Sequence, residues 1–132
     1  MIKSKQQNMA LKLLKGYRAV LWRKSVLEVI PRTNNKTLLA CLEQIKLTNE
    51  LVEALKNDNH SGNYVGDKMY WILQSTFMTN KQPGDIAEIL DDIAKKYEHI
   101  PRRTYFRLKK QAIERLDECL EKMVMQDLSI VN

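Results

Sequence analysis

Arg102, Arg103, Arg107, Lys109 and Lys110 follow Pro101 with no acid among them, the densest cationic run in the chain. A guanidinium is a planar fork of donors that grips phosphate or a base edge in two places, and an ammonium acts as a point charge on phosphate. The chemistry such residues offer is recognition of a polyanion. At about 100° per residue, Tyr105, Leu108, Ala112, Leu116, Cys119 and Met123 share one side of a helix, and Arg103, Phe106, Arg107 and Lys110 share the other. One face packs and the other stays open. Pro101, whose missing N–H costs nothing in a first turn, marks the helix start. Cations there face the positive end of the helix dipole, an arrangement that an anionic partner turns from a cost into a gain.

Residues suited to covalent or acid–base chemistry are poorly placed. His60 stands among turn formers and His99 in a connector, neither spaced to pair with a cysteine or carboxylate. Asp91 and Asp92 diverge by about 100° on a helix and read as a solvated acidic face. Cys41 and Cys119 lie far apart without a Cys-x-x-Cys pair or a histidine pair, so they are expected to be reduced core residues and not zinc ligands. Tyr70, Trp71 and the six methionines read as core or helix-interface residues. The expectation is a protein that is not an enzyme, with no metal and no cofactor.

Charge is segregated along the chain. The net charge is +6; residues 1–36 hold nine basic residues and one acid, residues 37–99 six and ten, residues 100–110 five and none, and residues 111–132 two and five. Two basic blocks alternating with two acidic ones suit a protein that addresses a polyanion. The first block is either a solvated helix face or an arm that also touches the partner. No apolar run approaches the roughly 20 residues of a membrane span, and no signal-peptide core opens the chain, so a cytoplasmic protein is expected.

The elements that must position these residues are all helical. Gly and Pro are few, at four and three of 132 residues, and apolar positions recur with helical period, not alternation. The pattern predicts a first helix over about 5–30, with Leu11, Leu14, Arg18, Leu21 and Trp22 inward. A breaker at 31–35 follows, with Asn35 or Thr37 as cap. A second helix to about 56 carries Leu38, Leu42, Ile45, Val52 and Leu55, its seam interrupted by Thr48 and Asn49. The turn-rich stretch 57–63 divides the chain into an N-terminal helical hairpin (1–60) and a second unit (61–132). That unit has a third helix over 64–78 with Val65, Met69, Ile72, Leu73 and Thr76 inward. A fourth begins near Pro83 or Asp85, with Ile86, Ile89, Leu90, Ile93 and Tyr97 inward. The last runs to about 126.

The last three helices fit a helix-turn-helix unit, in which the second helix of the pair enters the major groove of duplex DNA by its N-terminal residues. In that arrangement Arg103, Arg107 and Lys110 reach guanine edges, Arg102, Thr104 and Lys109 meet phosphates, and Phe106 touches a thymine methyl or seals a protein contact. Three stretches, Met69–Phe77, Asp85-Ile86-Ala87 and Arg102–Leu116, resemble the late-gene transcriptional regulators of phages and prophages of Gram-positive bacteria, the ArpU and RinA type. These in turn resemble region 4 of bacterial sigma factors. The resemblance covers roughly 64–120, and its specific part is the block from Arg102 to Lys110. It implies an activator that binds upstream of a late promoter and helps host RNA polymerase, in the cytoplasm of a bacterial host. The interval between Ile86-Ala87 and Pro101 is longer than in related sequences.

The expected function is sequence-specific binding of double-stranded DNA in transcription regulation, with the N-terminal hairpin serving homodimerisation or polymerase contact. Two other readings fit the same residues: a terminase small-subunit-like DNA-packaging protein, and a helical adaptor that grips an acidic protein surface without touching nucleic acid.

Overall fold

The computed structural model describes residues 9–30, 35–57 and 64–131, with residues 35 and 124–131 described by backbone alone. Five helices occur in order: α1 (Met9–Val29), α2 (Asn35–Ala54), α3 (Val65–Phe77), α4 (Ile86–Lys96) and α5 (Arg102–Val131), with a 3₁₀ turn (Leu55–Asn57) closing α2. The all-α class and the order expected from periodicity both hold. The expected helix start near residue 5, the breaker at 31–34, and the loop at 58–63 with His60 and the boundary at 60/61 lie outside the described residues.

One apolar cluster draws on all five helices: Leu14 and Tyr17 of α1, Leu51 and Val52 of α2, Met69, Ile72 and Leu73 of α3, Ile89 and Ile93 of α4, and Tyr105, Leu108, Ala112, Leu116 and Leu120 of α5. α1 and α2 form the hairpin, and α3 packs against both α4 and α5. Asp85 ends an extended segment, and its carboxylate accepts from the Glu88 N–H at 2.9 Å, while the Glu88 carboxylate reaches back to the Gly84 N–H at 2.7 Å. This reciprocal cap satisfies donors that α4 leaves without a helical partner. A Cβ on Gly84 would stand 3.1 Å from the Glu88 carboxylate, so the close approach favours glycine. At the other end of the chain the Asp117 carboxylate of α5 accepts from the Ala10 N–H at 2.9 Å, tying α1 to α5.

Several sequence expectations require correction. Thr48 and Asn49 do not leave the hairpin seam unsatisfied: Thr48 is bonded within α2 and Asn49 across to α1. The Thr48 hydroxyl donates to the Gln44 carbonyl at 2.8 Å, and the Asn49 side-chain oxygen accepts from the Tyr17 hydroxyl at 2.8 Å. With these polar groups satisfied, α2 turns Cys41, Thr48, Leu51, Val52 and Leu55 inward and leaves Leu42 exposed. Trp22 is 69% exposed, not inward, because the line Arg18–Trp22 runs past the end of α3. On α5 the buried line passes from Leu116 to Leu120 and takes in Asp117, so Cys119 and Met123 are exposed where core was expected. Contact with α1, on the Asp117 side, turns the buried strip away from Cys119. The helix also continues to Val131, beyond the expected end.

Candidate nucleic-acid interface

α5 begins one residue later than the proline suggests. The Pro101 carbonyl accepts from the Tyr105 N–H at 2.9 Å, so Pro101 is the cap and Arg102 the first helical residue. Proline fixes its own φ and biases Ile100 toward extended backbone, which ends the approach to the helix cleanly. Ile100, almost fully buried, pins the connector to the core. The long interval between Ile86-Ala87 and Pro101 is taken up by α4 itself, which continues to Lys96, and by the connector from Tyr97 to Pro101.

Two side chains fix the rotation of α5 about its axis. Tyr105 has no exposed surface, and its hydroxyl shares a hydrogen bond with the Thr76 hydroxyl of α3 at 2.8 Å; burial pushes that phenol up, and the Thr76 bond only partly offsets the push. Leu108 and Ala112 continue the buried strip by one and two turns. With that face inward, Arg102, Arg103, Phe106, Arg107 and Lys110 are all exposed. None of the four cations makes an ion pair among the described residues. The first turn of α5 carries no acid.

Phe106 is 43% exposed and sits between an aromatic and a cationic partner. Its ring meets that of Tyr105 edge-on at 5.1 Å, and the Arg102 guanidinium lies 5.7 Å from its centroid. The ring thus steadies a flexible cation on the open face. Thr104 and Lys109, both expected to meet phosphate, are half-buried at the flank. The Lys109 ammonium lies 5.6 Å from the Phe77 ring and 5.9 Å from the Tyr105 ring. Burial and, second, the charge of Lys15 lower its pKa. Lys15 of α1 is therefore a cation beside this surface that periodicity on α5 alone could not reveal; the basic composition of the first 36 residues was its only sequence signal.

The platform beneath the interface is held by Arg18, which lies half-buried on the inward side of α1 as its spacing predicts. Its guanidinium donates to the Thr79 carbonyl at 2.8 Å, the Thr76 carbonyl at 3.0 Å and the Thr79 hydroxyl at 2.9 Å. These are carbonyls at and just beyond the C-terminal end of α3, where a helix leaves acceptors unpaired and its dipole favours a cation. Burial lowers the pKa of Arg18.

The remaining candidates among the described residues are not brought together. A cleft of about 360 Å³ beside α4 is lined by Ser75, Asp91, Asp92, Lys95 and Lys96, among others. Asp91 pairs with Lys95 and Asp92 with Lys96, each at 3.0 Å, one helical turn on. Burial pushes Asp92 up, but the Ser75 hydroxyl, Lys96 and Lys95 outweigh it and hold the carboxyl below its ordinary value. His99 is exposed. No group of three or more His, Cys, Asp or Glu among the described residues is arranged to hold a metal. No described helix is long and apolar enough to cross a membrane. Tyr70 and Trp71 are half-buried, with Trp71 stacked on Tyr97 at 6.3 Å and the Lys56 ammonium 4.0 Å from the Tyr70 ring, an internal cluster as expected of helix-interface residues. Comparison with known proteins finds no matching family model, no matching curated protein and no matching solved structure.

Proposed function

We propose that this chain binds double-stranded DNA through the N-terminal turns of α5 and regulates transcription, in the manner of the phage late-gene activators its sequence resembles. The observation that carries the reading is the pairing of faces on one helix. Tyr105, Leu108 and Ala112 are buried, while Arg102, Arg103, Arg107 and Lys110 stand exposed with no ion-pair partner among the described residues. Side chains on a first turn project past the helix end, so they enter a groove ahead of the rest. Arg103 and Arg107, four residues apart, lie on one line and address successive base steps, where a bidentate arginine contributes about 1–3 kcal/mol of discrimination. Arg102, steadied by Phe106, and Lys109 with Lys15 behind it meet the flanking phosphates. Host RNA polymerase is the partner implied for activation.

Nuclease footprinting on the genomic DNA flanking the gene tests the reading. A discrete protected site upstream of a promoter, lost in Arg103→Ala, is expected; protection spread evenly over all DNA, or none, contradicts it. The exposed ring of Phe106 favours one other reading, an adaptor that seats an acidic protein surface on this face. In that case Arg103→Glu with Arg107→Glu abolishes capture of the protein partner, and the parent gives no gel shift. A terminase-like packaging role requires a ring, which solution mass measurement separates from a monomer or dimer.

A further inference from the structure

We infer that the cleft between the end of α3, the turn that follows it and α4 is a binding site for a small zwitterion, a free amino acid with a polar side chain. The inference does not depend on what α5 binds. The cleft holds about 360 Å³, within the range of pockets that take small molecules. Ser75 of α3 lies at its floor without exposed surface, and Lys81 of the turn and Glu88 of α4 stand exposed at its rim.

The floor carries an unmet polar group. Ser25 and Thr48, also within helices, donate their hydroxyls to the carbonyl one turn back, at 3.1 and 2.8 Å, the usual local solution for such a side chain. The buried Ser75 hydroxyl closes no hydrogen bond among the described residues. It stands near enough to Asp92 to help keep that carboxyl charged, but the geometry falls short of a bond, and the Asp92 Oδ2 is held by the Lys96 ammonium at 3.0 Å as an ion pair alone. A buried hydroxyl without a partner is destabilising, so one set at the floor of a polar cleft calls for a donor or acceptor from outside the chain.

Charge selects the class of ligand. Lys81, Lys95 and Lys96 line the cleft together with Glu88, Asp91 and Asp92, so it is balanced in sign, unlike the all-cationic first turn of α5. Asp91 and Asp92 are paired with Lys95 and Lys96, each at 3.0 Å. That leaves one charge of each sign, Lys81 and Glu88, with no ion pair among the described residues. Glu88 accepts from the Gly84 N–H at 2.7 Å, which fixes the carboxylate at the rim without neutralising it. A ligand bearing one carboxylate and one ammonium meets both, and a polar side chain on it reaches Ser75. A simple anion would also face the three carboxylates, and a polyamine the three ammoniums.

Calorimetric titration and thermal melts of the full chain without DNA test this, with each standard L-amino acid of polar side chain in turn and the N-acetyl and amide forms of any that binds. A hundredfold excess over Kd should raise Tm by about 10 °C. Blocking either charge of the ligand, or substituting Lys81→Gln or Glu88→Gln, should weaken binding at least about tenfold; Glu88→Gln keeps an acceptor for the Gly84 N–H, so the cap survives. Ser75→Ala should weaken binding by a similar factor and leave the ligand-free Tm unchanged or higher, since it removes an unmet hydroxyl. Neither heat nor a Tm shift with any of these amino acids, inorganic phosphate binding in their stead, or binding that survives both charge substitutions overturns the inference. So does a ligand-free Ser75→Ala variant that melts several degrees lower, which would mean that an ordered water already serves the hydroxyl.

Discussion

Leu108 and Arg107 are neighbours in sequence on opposite sides of α5, and truncating each to alanine should have effects of different size and opposite sign. Leu108 is 3% exposed, against Tyr105 and Ala112, which have no exposed surface. Removing its buried branch costs about 2–5 kcal/mol in transfer and cavity terms. A chain of this length unfolds with an entropy of roughly 0.28 kcal/mol per kelvin, so ~3 kcal/mol lowers Tm by about 11 °C. Arg107 is exposed and has no ion-pair partner among the described residues. Its removal should change stability by under about 0.5 kcal/mol, with alanine's helix preference tilting the sign toward stabilisation. Both values come from thermal melts of DNA-free protein, with urea titration as the independent measure. A Tm loss above about 5 °C for Arg107→Ala, or below about 2 °C for Leu108→Ala, would refute the assignment of faces.

Two further predictions concern the supports. Arg18→Ala should cost about 2–3 kcal/mol, since it removes charge-assisted bonds to the carbonyls of Thr76 and Thr79; Arg18→Lys should recover only part of it in denaturant titration, lacking the planar fork. Asp117 is held above the usual aspartate value of 3.8 by burial and by the Glu114 charge, against the opposing bond from Ala10. A carboxyl raised in the folded state stabilises most below its unfolded pKa and loses that contribution as pH rises through its folded pKa. Asp117→Asn keeps an acceptor for the Ala10 N–H, so the variant should gain on the parent as pH rises from below 3.8 to neutrality; a variant that loses stability relative to the parent over that range contradicts the sign.

The parts of this fold that sequence made legible are those where one helix face meets one neighbour. α4 is the clearest case: Ile89 and Ile93 are inward, the helix starts by Asp85 and Asp91 is on the wet side, although Asp92, expected beside it there, is half-buried. The errors fall where helical period alone cannot say how long the neighbour is. Trp22 continues the line of Arg18, but α3 ends there; Met123 continues the line of Leu116 past Leu120, the last buried residue among those whose side chains are described. Thr48 and Asn49 were misjudged for another reason, since a polar residue in a seam reads as an interruption until its partner, here Gln44 or Tyr17, is known. The cationic face was legible because Arg103 and Arg107 share one line, opposed by Tyr105 and Leu108. What it lacked in sequence was Lys15, brought beside Lys109 only by the packing of α1 on α5.

Fluorescence anisotropy of a labelled duplex carrying the gene's flanking DNA, titrated at several salt concentrations, bears most directly on α5 as a DNA-binding helix. Phosphate neutralisation gives a slope of about −0.9 in log affinity against log salt per contact, so Arg102, Lys109 and Lys15 of one copy predict about −3. Arg103→Glu with Arg107→Glu should abolish preference for the site, with the slope supplied by Arg102, Lys109 and Lys15 largely kept. Affinity independent of salt, or a double variant that binds like the parent, would contradict the assignment.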